Sequence, residues 1–128
     1  MSEPIARVLV VEDDHSLRQY LAEALTECGY AVVPLENGDE AEAWLETSTA
    51  DVVLTDLVMP EQDGVALIAS IKRRFPSLPV VAMSGRGRTD LTIDSLALVR
   101  VLGADATLEK PFGLAELERT IAWVLARH

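Results

Sequence analysis

The stretch RVLVVEDDHSLRQYLAEALTECG, residues 7–29, decides the fold class of this chain. Its beginning, Arg7–Val11, is rich in β-branched residues and almost wholly apolar, which is typical of a strand that is covered on both faces. Apolar residues then recur at helical spacing from Leu17 to Cys28, and Gly29 is a typical helix stop. The stretch therefore predicts a buried strand followed by an amphipathic helix.

The same order of strand and helix recurs along the rest of the chain. Further strand-like runs are expected at Ala31–Leu35, Asp51–Thr55, Pro79–Met83 and Ala104–Leu108. Helical patterns follow these runs, around residues 41–45, 67–71, 91–102 and 114–125. Because Pro34 lacks a ladder donor, the second strand is expected at an edge of the sheet. The sequence thus predicts an α/β fold, a doubly wound five-stranded parallel sheet in the order 2-1-3-4-5 with five helices on both faces, which is flavodoxin-like.

Length and charge limit the classes of function. The chain has 128 residues, which suits one domain, and a formal net charge of −10, which disfavours direct binding of nucleic acid. No apolar stretch reaches the roughly 18 residues of a membrane span, and the N-terminus lacks the pattern of a secretory signal.

The single cysteine, Cys28, cannot form an internal disulfide, so we expect a cytoplasmic protein. The basic run Lys72-Arg73-Arg74 is expected to be a solvated helix end.

Polar residues stand at the expected ends of four strands. The first strand runs into the acidic stretch 12–14, the third into Asp56, the fourth into Ser84 and the fifth into Lys110. In the order 2-1-3-4-5, the carboxyl ends of these strands face one crevice. Each residue has an ordinary structural explanation when taken alone, such as Asp14 as a helix cap. Their joint placement favours a functional site.

The residue types at this crevice suit phosphoryl chemistry. Carboxylates are preferred ligands of Mg²⁺, which is usually shared with a phosphate. A carboxylate such as that of Asp56 can also act as a nucleophile and form an aspartyl-phosphate. The side chains of Lys110 and Ser84 can donate hydrogen bonds to phosphoryl oxygens. The sequence contains no Walker-type phosphate loop, no Ser-His-Asp arrangement and no Cys/His zinc spacing.

Four segments resemble, in family order, the bacterial two-component response regulator receiver domain, including its chemotaxis-regulator-like, stand-alone members. The segments are VLVVEDDHSLR, LTDLVMPEQDG, VVAMSG and GADATLEKPF. The resemblance implies that residues 1–128 form a single receiver domain that accepts a phosphoryl group. The implied donor is a sensor histidine kinase or a histidine phosphotransfer protein, and the implied cofactor is Mg²⁺. The resemblance implies no enzyme activity beyond the chain's own phosphorylation and dephosphorylation.

The resemblance also implies roles for individual residues. Asp56 matches the phosphoacceptor, and the implied Mg²⁺ ligands are Glu12, Asp13, Asp56 and the main-chain carbonyl of Val58. Ser84 matches the switch residue, and Lys110 matches the phosphate-contacting lysine, with a cis peptide bond before Pro111. Phosphorylation is then expected to alter the surface of the fourth helix and fifth strand, and so to signal to a protein partner that the sequence does not identify.

The sequence departs from the family pattern at two places. Thr107 occupies the conformational switch position, where many members carry an aromatic residue. The stretch between Ser84 and Lys110 is about one helical turn longer than is common, and it contains Arg86. Val58 and Arg86 match two positions that influence hydrolysis of the phosphoryl group. Apolar Val58 cannot orient a water molecule, whereas Arg86 can cover phosphate oxygens, so slow hydrolysis is expected.

Two other functions remain open at this point. One is a phosphorylation-independent protein-interaction module on the same fold, and the other is a small Mg²⁺-dependent phosphohydrolase. The complete acidic and lysine positions argue against the first. A second aspartate two residues after Asp56 would favour the second, but Val58 stands there. No output module follows the last helix, so we expect either a stand-alone regulator or a receiver from a longer protein.

Overall fold

The computed structural model describes residues 3–59, 62–85 and 103–127. Two short strands, β4 (Val58–Met59) and β5 (Gln62–Asp63), form a separate antiparallel hairpin. The parallel sheet contains β1 (Arg7–Val11), β2 (Ala31–Leu35), β3 (Val52–Asp56), β6 (Val80–Gly85) and β7 (Ala106–Lys110). Its order is β2-β1-β3-β6-β7. With the hairpin set aside, this is the predicted order 2-1-3-4-5, so the predicted fold class is confirmed.

Four helices lie within the described ranges: α1 (His15–Glu27), α2 (Gly38–Thr47), α3 (Gly64–Arg74) and α4 (Leu114–Ala126). The helix predicted at residues 91–102 lies outside these ranges. Gly29, with a φ of 100°, follows the C-terminal end of α1 as predicted, and Asn37 Oδ1 caps α2 by accepting from the amide of Glu40 at 2.9 Å. Among the described residues, every helix is too short or too polar to span a membrane.

The sheet is covered on both faces by separate hydrophobic clusters. Alternate residues of β1 point to opposite sides, with Val8 and Val10 in one cluster and Leu9 and Val11 in the other. The first cluster includes buried residues of α1 and α4, and the second includes buried residues of α2 and α3. This two-sided burial explains why the central strands are apolar runs rather than alternating patterns. It also leaves the polar residues of these strands at their carboxyl ends.

Three strands extend further towards their carboxyl ends than predicted. β3 ends at Asp56, β6 at Gly85 and β7 at Lys110, because the pairing continues past the last apolar residue of each strand. The predicted starts of the same three strands were too early: β3 begins at Val52 rather than Asp51, β6 at Val80 rather than Pro79, and β7 at Ala106 rather than Ala104. Proline has no N–H to donate to the ladder, which explains the start of β6. The hairpin of β4 and β5 was not predicted.

Two predictions for polar residues need correction. Asp14 occupies the N-cap position of α1, but its side chain makes no capping hydrogen bond. Lys72 is half-buried rather than simply solvated at the end of α3. Its ammonium donates to the carbonyl of Leu78 at 2.9 Å and to Asp105 Oδ2 at 3.3 Å. The Asp105 carboxylate also accepts from the amide of Val80 at 2.8 Å, so Lys72 and Asp105 fasten the segment before β7 to α3 and to β6.

Gly64 allows α3 to begin directly against the residues that follow β3. Its amide donates to the carbonyl of Leu57 at 3.1 Å. A Cβ atom at position 64 would lie 2.5 Å from the carbonyl oxygen of Asp56 and 2.6 Å from the Cα of Leu57. Both neighbours are main-chain atoms, which cannot move aside as a flexible side chain can. Glycine is therefore required at position 64 because the main chain of Asp56 and Leu57 passes too close for a Cβ atom.

We predict that Gly64→Ala lowers the free energy of unfolding by about 1–3 kcal/mol, because the added methyl group forces the backbone at Asp56 and Leu57 to shift. Urea denaturation monitored by circular dichroism measures this change. Gly113→Ala is the matched control, since a Cβ there would meet nothing within 4 Å. The control should stay within about 0.5 kcal/mol of the parent protein, as reduced freedom of the unfolded chain offsets a weaker helix cap. Equal losses in the two variants would contradict the steric explanation.

Candidate functional site

The strand register brings four predicted site residues to one end of the sheet. Val11, the last residue of β1, is paired with Thr55, so Glu12 follows beside Asp56. Asp56 is in turn paired with Met83, directly before Ser84, and Gly85 of β6 is paired with Lys110 of β7. These pairings align the carboxyl ends of β1, β3, β6 and β7. The strand register therefore places these residues together at the carboxyl end of the sheet, as the strand order predicts.

Two of the carboxylates at this end are buried and share one ammonium group. Glu12 and Asp56 are only 1% and 4% exposed. The Nζ of Lys110 lies 3.0 Å from Glu12 Oε1 and 3.3 Å from Asp56 Oδ2. A buried carboxylate is stable only when it is paired and hydrogen-bonded. Lys110 thus supplies the counter-charge that lets both acids lie inside the protein.

Glu12 is held from several sides. Its amide donates to the carbonyl of Leu35 at the end of β2, at 3.0 Å. One carboxylate oxygen accepts from Lys110, and the other accepts from the amide of Asp14 at 3.1 Å. Burial raises the pKa of Glu12, and the negative charge of Asp56 raises it further, while Lys110 acts in the opposite direction. The side chain is therefore fixed in place, although its surroundings disfavour its charge.

Glu12, Asp13 and Asp56 form a cluster that is able to hold a metal ion. One carboxylate oxygen from each residue lies within 4.8 Å of the others, and Asp13 is exposed whereas its two neighbours are buried. Oxygen ligands of Mg²⁺, each at about 2.1 Å from the ion, lie roughly 3–4 Å apart. The hard oxygen donors of the cluster suit this ion, and the 4.8 Å limit on their spacing is slightly wider than the separation that the bound ion requires. Three carboxylates beside one ammonium also leave an excess of negative charge that favours a cation.

The structure gives positions on the strands for three of the remaining predicted residues. Ser84 is buried in β6 next to the residue paired with Asp56. Thr107 is half-buried in β7, where it pairs with Ala82, and Val58 lies in β4, two residues after Asp56. The peptide bond between Lys110 and Pro111 is cis, as predicted. Arg86 lies outside the described residues. The roles of all these residues remain predictions.

Sequence reasoning missed two side chains that contact the main chain of the cluster. The hydroxyl of Thr55 donates to the carbonyl of Asp56 at 3.1 Å. The guanidinium of Arg18 donates to the carbonyl of Glu12 at 2.8 Å. For Arg18, the available signal was its place in the first turn of α1, one turn beyond the acidic residues that precede the helix. No comparable signal in the sequence pointed to Thr55.

Comparison with known proteins matches this architecture to one family. A family model described as the response regulator receiver domain matches residues 8–122. The chain is 40% identical over 119 residues to the DNA-binding transcriptional regulator NtrC of Salmonella typhimurium, covering 90% of this chain and 24% of that protein. It is 38% identical over 122 residues to the transcriptional regulatory protein BasR of Escherichia coli, covering 95% of this chain and 53% of that protein. The chain thus spans about a quarter of the length of the NtrC relatives that it matches.

Solved structures agree with the sequence relatives. The receiver domain of NtrX from Brucella abortus aligns with a TM-score of 0.87 and 29% identity, covering 94% of this chain and 99% of that chain. The receiver domain of the Francisella response regulator 1452 aligns with a TM-score of 0.81 and 29% identity, covering 95% and 98%. Since the family model spans most of the chain and the sheet has the family's strand order, the chain belongs to the response regulator receiver domain family.

Proposed function

We propose that this chain accepts a phosphoryl group on Asp56 from the phosphohistidine of a sensor histidine kinase or of a histidine phosphotransfer protein. The observation that carries the proposal is the position of the Asp56 carboxylate. It lies at the end of β3, 3.3 Å from the ammonium of Lys110 and within the acidic cluster of Glu12 and Asp13. No catalytic turnover of a separate substrate is part of the proposal.

In the proposed reaction, a carboxylate oxygen of Asp56 attacks the phosphorus atom. The new bond joins this oxygen to phosphorus, while the bond from phosphorus to the donor's imidazole nitrogen breaks and leaves its electron pair on that nitrogen. The product is an acyl phosphate on Asp56 and a free histidine on the donor. Lys110 is proposed to donate to a phosphoryl oxygen, and the 3.3 Å contact of its Nζ with the Asp56 carboxylate supports this role. The hydroxyl of Ser84 is proposed to donate to another.

The acidic cluster is proposed to hold Mg²⁺ with Glu12, Asp13, Asp56 and the main-chain carbonyl of Val58. When bound, this ion would offset the repulsion between a phosphoryl donor and the carboxylates. Lys110 is paired with both buried acids and so holds the Asp56 carboxylate beside Glu12. The burial of Asp56 limits access of water to the side chain that carries the phosphoryl group.

Three further residues join the proposal through the family pattern. Thr107 is the proposed conformational switch position, and Val58 and Arg86 are the proposed modulators of hydrolysis. The altered surface would include β7 and the helix predicted at residues 91–102, and a protein partner would read it. Residues 1–128 are proposed to act as one receiver unit in the cytoplasm. The net charge of −10 disfavours contacts with nucleic acid or with an anionic membrane surface.

Asp56→Asn tests the phosphoacceptor, because an amide is not a nucleophile for phosphorus. Incubation with acetyl phosphate and Mg²⁺, followed by mass-spectrometric mapping, should show an acyl phosphate on Asp56 in the parent protein and none in the variant. Asp51→Asn is the matched control, since Asp51 lies just before β3, at the opposite end of that strand, and is exposed. It should be labelled like the parent protein. Labelling of Asp56→Asn at the parent rate would refute the assignment.

A second test concerns the cation. Millimolar Mg²⁺ should raise the melting temperature of the metal-free protein, because a ligand that binds only the folded state stabilises it. Asp13→Ala should remove most of this increase. Asp14→Ala removes the same charge from the neighbouring exposed residue, which lies outside the acidic cluster, and should keep the increase. The metal site would be contradicted if Mg²⁺ left the melting temperature of the parent protein unchanged. It would also be contradicted if Mg²⁺ raised the melting temperatures of the two variants equally.

Lys110→Met tests whether the ammonium of Lys110 and a bound Mg²⁺ both offset the negative charge of the buried acids. Without the ammonium, Glu12 and Asp56 lose a shared partner, so the metal-free variant should lose up to about 3 kcal/mol of unfolding free energy. Mg²⁺ should then stabilise the variant more than the parent protein, since the excess of negative charge is larger. Lys72→Met removes an ammonium from a different ion pair, with Asp105, and should leave the Mg²⁺ response unchanged. Calorimetric melting with and without Mg²⁺ measures both effects, and an equal Mg²⁺ response in all three proteins would contradict the proposed role of Lys110.

A further inference from the structure

Asp13 is held differently from the other two acids of the acidic cluster. Glu12 and Asp56 are buried and paired with Lys110, so packing and charge fix their side chains. Asp13 is exposed, and its carboxylate makes no hydrogen bond to the residues that the structure describes. The hydrogen bonds that can limit the direction of its side chain are therefore those of its main chain.

Arg18 contacts the main chain on both sides of Asp13. Its Nη1 donates to the carbonyl of Glu12 at 2.8 Å and to the carbonyl of Asp13 at 3.4 Å. These two carbonyls belong to the two peptide groups that flank the Cα of Asp13. Since each peptide group is planar, holding both carbonyls limits rotation about the two backbone bonds of Asp13. The direction of the bond from Cα to Cβ is then limited as well.

The guanidinium is itself anchored on α1. The main-chain amide of Arg18 donates to the carbonyl of Asp14 at 2.9 Å, which begins the helical hydrogen-bond pattern. The Nη2 of Arg18 lies 3.0 Å from His15 Nδ1. The fork of the guanidinium therefore joins the first turn of α1 to the loop that carries the acids. A planar group with several fixed donors suits this use better than a single ammonium does.

We propose that Arg18 is a positioning residue that aims the Asp13 carboxylate into the acidic cluster and so strengthens binding of a divalent cation there. The inference rests on the proposed function, because that function gives Asp13 a cation to bind. Arg18 touches neither the carboxylate oxygens of the cluster nor the phosphoryl group in this proposal. It acts through the main chain of Glu12 and Asp13.

A role of Arg18 as a charge and a role as a positioning residue predict opposite changes in Mg²⁺ affinity when Arg18 is replaced. If Arg18 mattered only as a positive charge near the cluster, its removal would lessen the repulsion of Mg²⁺ and tighten binding. If Arg18 positions Asp13, its removal lets the carboxylate sample other directions and weakens binding. Residues that orient metal ligands typically change metal affinity by about 10- to 100-fold when they are substituted. The sign of the change therefore distinguishes the two explanations.

Isothermal titration of the metal-free full chain with Mg²⁺ tests the proposal. Arg18→Met, which keeps much of the aliphatic stem, should raise the dissociation constant about tenfold. Gln19→Met is the matched control, because Gln19 is the next residue on α1 and contacts Glu23 instead of the loop. It should bind Mg²⁺ like the parent protein. Arg18→Lys, which keeps the charge but loses the fork, should lie between Arg18→Met and the parent.

A second measurement needs no metal. Hydrogen exchange of the Asp14 amide, which donates to Glu12 Oε2, should be faster in metal-free Arg18→Met than in Gln19→Met. Unchanged or tighter Mg²⁺ binding in Arg18→Met would overturn the inference while leaving the proposed function intact. Absence of Mg²⁺ binding in the parent protein would overturn both. If Arg18→Met fails to fold, Arg18→Lys decides, and parent-like affinity in that variant would refute the role of Arg18.

Discussion

The ammonium of Lys110, 3.0 Å from Glu12 and 3.3 Å from Asp56, makes it possible to bury two carboxylates at one end of the sheet. An isolated buried charge costs several kcal/mol even after the protein relaxes. The pairing joins the end of β7 to the end of β3 and to the residue after β1. In the order β2-β1-β3-β6-β7, β6 lies between β7 and β3, so the pairing also depends on the long side chain of Lys110. The charges at the site and the topology of the sheet thus constrain each other.

The parts of the molecule that follow from residue type could be predicted from the sequence. Apolar runs such as Arg7–Val11 indicate strands buried on both faces, and the alternation with helical patterns predicts a parallel sheet. The strand order follows from Pro34, which favours an edge position for the second strand. Polar residues that follow an apolar run indicate the carboxyl ends of the strands, and in a parallel sheet these ends lie at the same edge. Glu12, Asp56 and Lys110 were therefore predicted to lie close together, and the structure pairs Lys110 with both acids.

The parts that depend on distances between main-chain atoms could not be predicted in this way. Gly64 is required because a methyl group would meet the backbone of Asp56, and nothing in the local pattern reveals that approach. Arg18 donates to carbonyls rather than to side chains, so no pairing of residue types signals its contacts. Lys72 and Asp105 are 33 residues apart, and only the finished fold brings them together. In each case the informative neighbour is distant in sequence or is part of the backbone.

The three acids of the acidic cluster differ in how much of their hydration they lose when the chain folds. Glu12 and Asp56 have lost most of their water in the folded chain, and the raised pKa of Glu12 reflects that loss. Under the proposed function, a cation or a phosphoryl group would not have to remove this water, so its interaction with the site would be stronger than with solvated carboxylates. Asp13 is still exposed and can adjust to a ligand within the limits set by its main chain. The hydrophobic clusters on the two faces of the sheet stabilise the folded state enough to offset the cost of burying these charges. The folded chain is therefore less stable than an apolar one would be, but its acidic residues are already in position for a ligand.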